Sequence, residues 1–164
     1  MSIQNEQIKA LLEEPDMIAA LSNVAAAIKM NNPNCNWAGF YMVRNGELVL
    51  GPFQGLPACT HIAFTNGVCG KTYRTRQTQR IKDVHQFPAH IACDSASRSE
   101  LCVPVCLHKE VILIIDLDAP APDFFSSSMA EELEETARLH FILRGENIRY
   151  LTDDEVNDLK NRGK

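Results

Sequence analysis

Apolar residues recur at helical spacing along the first third of the chain. Met17, Ile18, Leu21, Val24, Ala25 and Ile28 fall at i, i+3, i+4 and i+7 and make one stripe. Pro15 breaks the chain before the stripe, and Asn31-Asn32-Pro33 ends it. The period then shortens to two. Residues 37–43 and 47–53 are β-prone runs joined around Arg44-Asn45-Gly46, where Asn-Gly supplies the positive φ of a tight hairpin. Residues 60–64 predict a third strand, and residues 67–77 a short helix with Cys69 in its first turn. Residues 101–107 and 111–117 predict a second hairpin around His108-Lys109-Glu110. Ser128-x-x-Glu131 reads as a capping box opening a long helix, with Met129, Leu133, Ala137, Leu139 and Leu143 facing inward. Helices at both ends of hairpin-connected strands predict an α+β domain over residues 1–151 with a mostly antiparallel sheet, one face of which is free to build a pocket. Residues 152–164 read as a polar tail expected to fray.

The second hairpin carries the first hint of chemistry. Along "VILIIDLD", strand alternation places Ile112, Ile114, Asp116 and Asp118 on one face and Val111, Leu113, Ile115 and Leu117 on the other. Taken alone, the aspartates fit the wet end of a strand as well as they fit a site. Glu100 changes the weighting. With the turn at residues 108–110, residues near 101 oppose residues near 117, so three carboxylates converge. Such a cluster repels itself unless a cation sits among its members or one of them keeps its proton. A metal ion and a substrate ammonium are both answers to that repulsion.

Composition narrows the partners. A chain of 164 residues buries enough surface to fold without disulfides or metal, so stability alone does not explain six cysteines. A net charge of −5 argues against nucleic acid and against an anionic membrane. The one basic cluster, Lys71, Arg74, Arg76 and Arg80, reads as a solvated face. The acidic opening lacks a secretory signal, and no apolar run approaches a membrane span, so a cytoplasmic protein with reduced thiols is expected.

The cysteines stand at 35, 59, 69, 93, 102 and 106, without a C-x2-C pair or a partnered histidine motif, which argues against a structural zinc site. Cys102 and Cys106 lie in an apolar strand and read as small buried hydrophobes. Cys35 precedes a strand and reads as incidental. Cys59, Cys69 and Cys93 lie in or beside loops rich in Gly, Ala, Pro and polar residues, where a thiol can be reached and oxidised.

"NWAGFYMV", "LGPFQGLPAC", "GVCG", "DVHQFPAHIACDSASRSE" and "IIDLDA" stand in this chain in the order and at the spacing seen in the free methionine-(R)-sulfoxide reductases, and from Asn36 to Ala119 the sequence resembles that family of single GAF domains. The resemblance implies a six-stranded antiparallel sheet flanked by N- and C-terminal helices, with a ligand pocket on the opposite face. It implies a homodimer that reduces free methionine-(R)-sulfoxide to methionine with thioredoxin as reductant; neither cofactor nor metal is expected. By the same resemblance Cys93 is the sulfur nucleophile, Cys59 the resolving thiol that forms a disulfide with it, and Cys69 an auxiliary thiol. Glu100, Asp116 and Asp118 match the acids lining the pocket, and Trp37 and Tyr41 the aromatics that close over the substrate methyl group. Ala119 stands where a serine is common, and Cys102 and Cys106 are additional.

This chemistry suits the residues. Sulfoxide reduction needs a thiolate to attack sulfur while the departing oxygen is protonated. Repulsion within the acid cluster keeps one carboxyl protonated near neutrality, and the remaining acids pair with the substrate ammonium. Glu100 is favoured over Asp116 as the proton donor. Trp37 and Tyr41 also fit a purely structural place in the core. Two other classes remain open: a non-catalytic GAF small-molecule sensor, which usually belongs to a longer chain, and a peroxidase or thiol redox sensor using the same cysteines.

Overall fold

The structure, a computed structural model, describes residues 1–88 and 96–144 (side chains as far as Leu139) together with Asp154 and Asn161. The expectations for Cys93, for Leu143 and for the tail as a whole lie outside the described residues.

Two helices open the chain. In α1 (Ile3–Leu11) the Ser2 side chain accepts from the Asn5 N–H, and in α2 (Met17–Asn31) the Asp16 side chain accepts from the Ala19 N–H. These caps satisfy amides that the first helical turn leaves without partners. The buried face of α2 runs through Ala20, Leu21, Val24, Ala25, Ala27 and Ile28. Ile18, expected on that stripe, is 57% exposed. Burial of Ala20 and Ala27 centres the stripe on the other flank of the helix and rotates Ile18 toward solvent.

Six strands follow: β1 (Trp37–Arg44), β2 (Glu47–Gln54), β3 (His61–Ala63), β4 (Gln79–Ile81), β5 (Ser99–Leu107) and β6 (Glu110–Ala119). They form one sheet of order β3-β2-β1-β6-β5-β4 with every pairing antiparallel, as the resemblance implied. Helix α3 (Gly67–Thr75) lies between β3 and β4, and α4 (Ser127–Arg144) closes the described fold. The first hairpin turns on Asn45 and Gly46, at φ 49° and 79°. The second turns on His108 and Lys109, at φ 49° and 68°, with Glu110 already in β6. Both pairs take the left-handed backbone that matches the twist of the flanking strands. The short edge strand β4 has no readable period and was not among the expected elements.

Two sequence expectations need correction. Ser126, not Ser128, caps α4: the Met129 N–H donates to Ser126 Oγ at 3.2 Å, and Ser128 Oγ lies 2.9 Å from Ser126 Oγ. The alternation of β6 also breaks once. Val105 pairs with Leu113 and Cys106 with Val111, so Ile112 is an extra residue in the ladder. This bulge moves Ile112 to the helix side and Val111 to the side of Ile114, reversing their predicted faces.

The sheet thus has two unlike faces. Helices α1, α2 and α4 cover one, packing Ile8, Leu21, Val24, Ile28 and Leu133 onto Phe40, Val103, Leu113, Ile115 and Leu117. The fully buried Asn5 ties α1 to α4, donating to the Glu132 carbonyl and accepting from the Thr136 hydroxyl. On the other face α3 and the residues after β2 lie over Trp37, Tyr41, Ile114 and Cys102.

Candidate active site

The register of three central strands assembles the site. Trp37 of β1 pairs with Asp118 of β6, which pairs with Glu100 of β5. One row along, Gly39 pairs with Asp116, which pairs with Cys102. Partners in an antiparallel ladder share a face, so Glu100, Asp116 and Asp118 converge as the hairpin count predicted. They lie on the face away from the three-helix layer. Glu100 and Asp116 are buried, at 7% and 5% exposure, and Asp118 is half-buried.

Burial dominates the electrostatics. It holds the Glu100 carboxyl well above the usual carboxylate range, reinforced by the negative charges of Asp116 and Asp118. Burial raises Asp116 too, but hydrogen bonds from Glu100, Cys102 and Cys69 favour its ionised form. The pair therefore resolves into a protonated Glu100 donating to an Asp116 carboxylate. The Tyr41 phenol is raised by burial and then by Asp116, so it stays neutral.

Two thiols complete the cluster. Cys102 Sγ lies 3.4 Å from Glu100 Oε1, 3.3 Å from Asp116 Oδ1 and 3.5 Å from Cys69 Sγ. The sequence reading of Cys102 as packing was incomplete. It is fully buried but lies among acids, and its place two residues after Glu100 on the same strand was the available signal. Cys69 departs further from expectation: the first turn of α3 points it into the cluster at 3% exposure, not toward solvent. Contact with Cys102 favours the Cys69 thiolate, but burial and the charges of Asp116 and Asp118 push its thiol up to about 12. Burial also raises Cys102, followed by its contact with Cys69. Both are protonated and poorly nucleophilic at neutral pH. Cys35 is buried in the helix-side core, where burial pushes it up to about 11.

Cys59 is disulfide-bonded, and its loop is tied down by the two aromatics singled out from the sequence. Trp37 Nε1 donates to the Leu56 carbonyl at 3.1 Å, and the Tyr41 hydroxyl donates to the Cys59 carbonyl at 2.9 Å. Trp37 stacks on Phe53 with centroids 5.2 Å apart, and both Trp37 and Tyr41 are 2% exposed. Two glycines make room for the indole. A Cβ on Gly39 would come within 2.8 Å of Trp37 Cη2, and one on Gly55, at φ 142°, within 2.5 Å of Trp37 Cδ1. Arg98 is fixed on both sides by backbone bonds of 2.8 Å, Val84 N–H to its carbonyl and its own N–H to Ala119. Asn36 Nδ2 donates to Ser97 Oγ at 3.1 Å. These bonds tie Ser97 and Arg98 to Asn36, Val84 and the end of β6, a few residues after Cys93 in the chain.

The description "GAF domain" belongs to the family model that matches residues 17–139. The free methionine-R-sulfoxide reductase of Escherichia coli is 43% identical over 116 residues, covering 70% of each chain. The chain belongs to this family of GAF-domain reductases. Among solved structures, the free methionine-R-sulfoxide reductase of Neisseria meningitidis in complex with its substrate superposes at a TM-score of 0.80, with 40% identity over 83% of each chain. The fRMsr of Staphylococcus aureus in complex with substrate gives a TM-score of 0.80 and 42% identity, over 89% of this chain and 94% of that one. In this GAF domain the acid cluster and the Cys59 loop lie on the sheet face opposite α1, α2 and α4. Among the described residues no helix is long and apolar enough to cross a membrane.

Proposed function

We propose that this GAF-domain protein reduces free methionine-(R)-sulfoxide to methionine. The observation that carries the reading is the convergence of Glu100, Asp116 and Asp118 on one sheet face beside the tethered Cys59 loop, in a fold shared with reductases solved with their substrate. The Cys93 thiolate attacks the sulfoxide sulfur while Glu100 passes its proton to the oxygen. Methionine leaves, and Cys93 keeps the oxygen as a sulfenic acid. The Cys59 thiol condenses with it, releasing water and forming a Cys59–Cys93 disulfide, which a dithiol of the thioredoxin class then reduces. Asp116 and Asp118 bind the substrate ammonium, and Trp37 and Tyr41 close over the methyl group. Cys69 plays an auxiliary part as a buried thiol. The working form is a cytoplasmic homodimer.

The test supplies racemic free methionine sulfoxide with thioredoxin, thioredoxin reductase and NADPH. Methionine should form until one diastereomer is consumed and the other remains. Cys93→Ser should form none, whereas Cys59→Ser should form about one methionine per chain and stall, because its sulfenic acid has no resolving thiol. Multiple turnover by Cys93→Ser would reassign the nucleophile, and absence of any methionine from the unmodified chain would leave the sensor class standing.

A further inference from the structure

Cys69 and Cys102 are 33 residues apart in the chain, yet their sulfurs meet at 3.5 Å beside two carboxylates. One ligand atom from each of Cys69, Glu100, Cys102 and Asp116 lies within 4.8 Å of every other, and all four residues are buried. Zn2+ binds thiolate at about 2.3 Å and carboxylate oxygen at about 2.0–2.2 Å, so a tetrahedral site places neighbouring ligand atoms about 3.4–3.8 Å apart. Of the three distances centred on Cys102, those to Cys69 Sγ and Glu100 Oε1, at 3.5 and 3.4 Å, lie at the short end of that spacing, and that to Asp116 Oδ1, at 3.3 Å, falls about 0.1 Å below it. The donors come from three elements, α3, β5 and β6, and backbone pairing fixes two of them in register. Half-buried Asp118, paired with Glu100, marks the side from which an ion would enter.

We propose that Cys69, Cys102, Glu100 and Asp116 form a binding site for a borderline-soft divalent cation of the Zn2+ class, and that its occupation blocks the substrate site. Two sulfur and two oxygen donors suit Zn2+, Co2+ or Cd2+ and suit Mg2+ or Ca2+ poorly, since the latter take oxygen ligands. Binding displaces the protons of both thiols and of Glu100, so protons and the cation are alternative solutions to the same clustered charge. The inhibitory part rests on the reductase reading, because an ion here removes both the proton of Glu100 and the free carboxylate of Asp116.

Binding is read without turnover. The full chain carrying Cys59→Ser and Cys93→Ser is reduced and titrated anaerobically with Co2+. The expected result is one Co2+ per chain, with the intense visible bands of tetrahedral cobalt and a near-ultraviolet thiolate charge-transfer band, both bleached by Zn2+. Adding Cys102→Ser or, separately, Cys69→Ser should halve the charge-transfer intensity. Either should weaken Co2+ binding at least about tenfold, since changing a group that merely orients a ligand already costs that much. Cys35→Ser and Cys106→Ser should leave both signals unchanged, and circular dichroism checks that each variant folds. Weak octahedral-type absorption alone, or a charge-transfer band insensitive to both Cys69→Ser and Cys102→Ser, would overturn the site. On the unmodified enzyme Zn2+ should inhibit, and Cys102→Ser should raise the inhibitory concentration at least about tenfold; equal inhibition of the two would overturn the blocking role. A chain that binds Co2+ as described but forms no methionine would refute the reductase reading and leave the site intact.

Discussion

The two faces of the sheet are made from the same strands and obey opposite rules. On the helix side β5 and β6 contribute Leu101, Val103, Val105, Leu113, Ile115 and Leu117, all apolar and at most 2% exposed. One residue out of phase, the same strands contribute Glu100, Cys102, Asp116 and Asp118. The first set is stabilised by removal from water. The second set is destabilised by it, and persists because the first set and the hairpin register hold it in place. Stability and chemistry are thus divided between the faces of one ladder, and a one-residue slip would exchange them.

The largest effect should come from the reactive face. On the proposed role of Asp116 and Asp118, blocking the substrate ammonium as an N-acetyl group removes a charge-assisted contact and leaves the buried Asp116 and half-buried Asp118 carboxylates without it. At roughly 2–5 kcal/mol, kcat/KM should fall about thirtyfold to several-thousandfold. Equal turnover of free and N-acetyl substrate would remove Asp116 and Asp118 from the ammonium-binding role.

On the helix face, Leu113→Ala should lower unfolding free energy in urea by about 2–5 kcal/mol, with little change in KM. A loss of substrate affinity larger than the loss of stability would show that the faces are not separable.

Glu100→Gln should combine opposite signs. Gln still donates to Asp116 but has no acidic proton to give up, so kcat should fall for want of a proton donor. At neutral pH Tm should rise by about 2–4 °C or more, the equivalent of about 1 kcal/mol at this chain length. The pH dependence follows from the raised Glu100 and Asp116 carboxyls. The native state holds their protons more tightly than the unfolded chain, so their contribution is fully present below the ordinary carboxylate range and is lost as pH rises through the raised folded values. The stability gap between Glu100→Gln and the unmodified chain should therefore widen from acid toward neutral pH; a gap independent of pH would mean that Glu100 is ionised in the native protein.

The smallest effect concerns the helix layer itself. Ser126→Ala should cost about 1 kcal/mol through loss of the cap, whereas Ser128→Ala should stay within about 0.5 kcal/mol. Thermal denaturation of the two variants distinguishes them.

What could be read from the sequence was what depends on near neighbours. Asn45-Gly46 announced the first hairpin, and counting back from His108 placed Glu100 against Asp118. What could not be read depends on tertiary detail. The bulge at Ile112 has no composition of its own, the capping-box spacing of Ser128 and Glu131 pointed to a serine two residues past the actual cap, and three-residue β4 is too short for a period. The contact between Cys69 and Cys102 joins a helix to a strand, so spacing rules built on C-x2-C motifs pass over it. The proposed roles of Cys59 and Cys93 rest on the resemblance; local pattern alone gave only reachable thiols.

The loop anchor at Trp37 has an optical consequence. This is the chain's single tryptophan, and its indole N–H is bonded to the backbone three residues before Cys59. Emission excited at the red edge of the absorption band therefore arises from one fluorophore beside the proposed redox couple, with no background from elsewhere in the protein. Opening the disulfide frees the Cys59 loop whose Leu56 carbonyl the indole holds, so brightness and emission wavelength should both follow the couple. The wild-type enzyme carries its own reporter, and each half of the catalytic cycle can be timed in a stopped-flow instrument without a label.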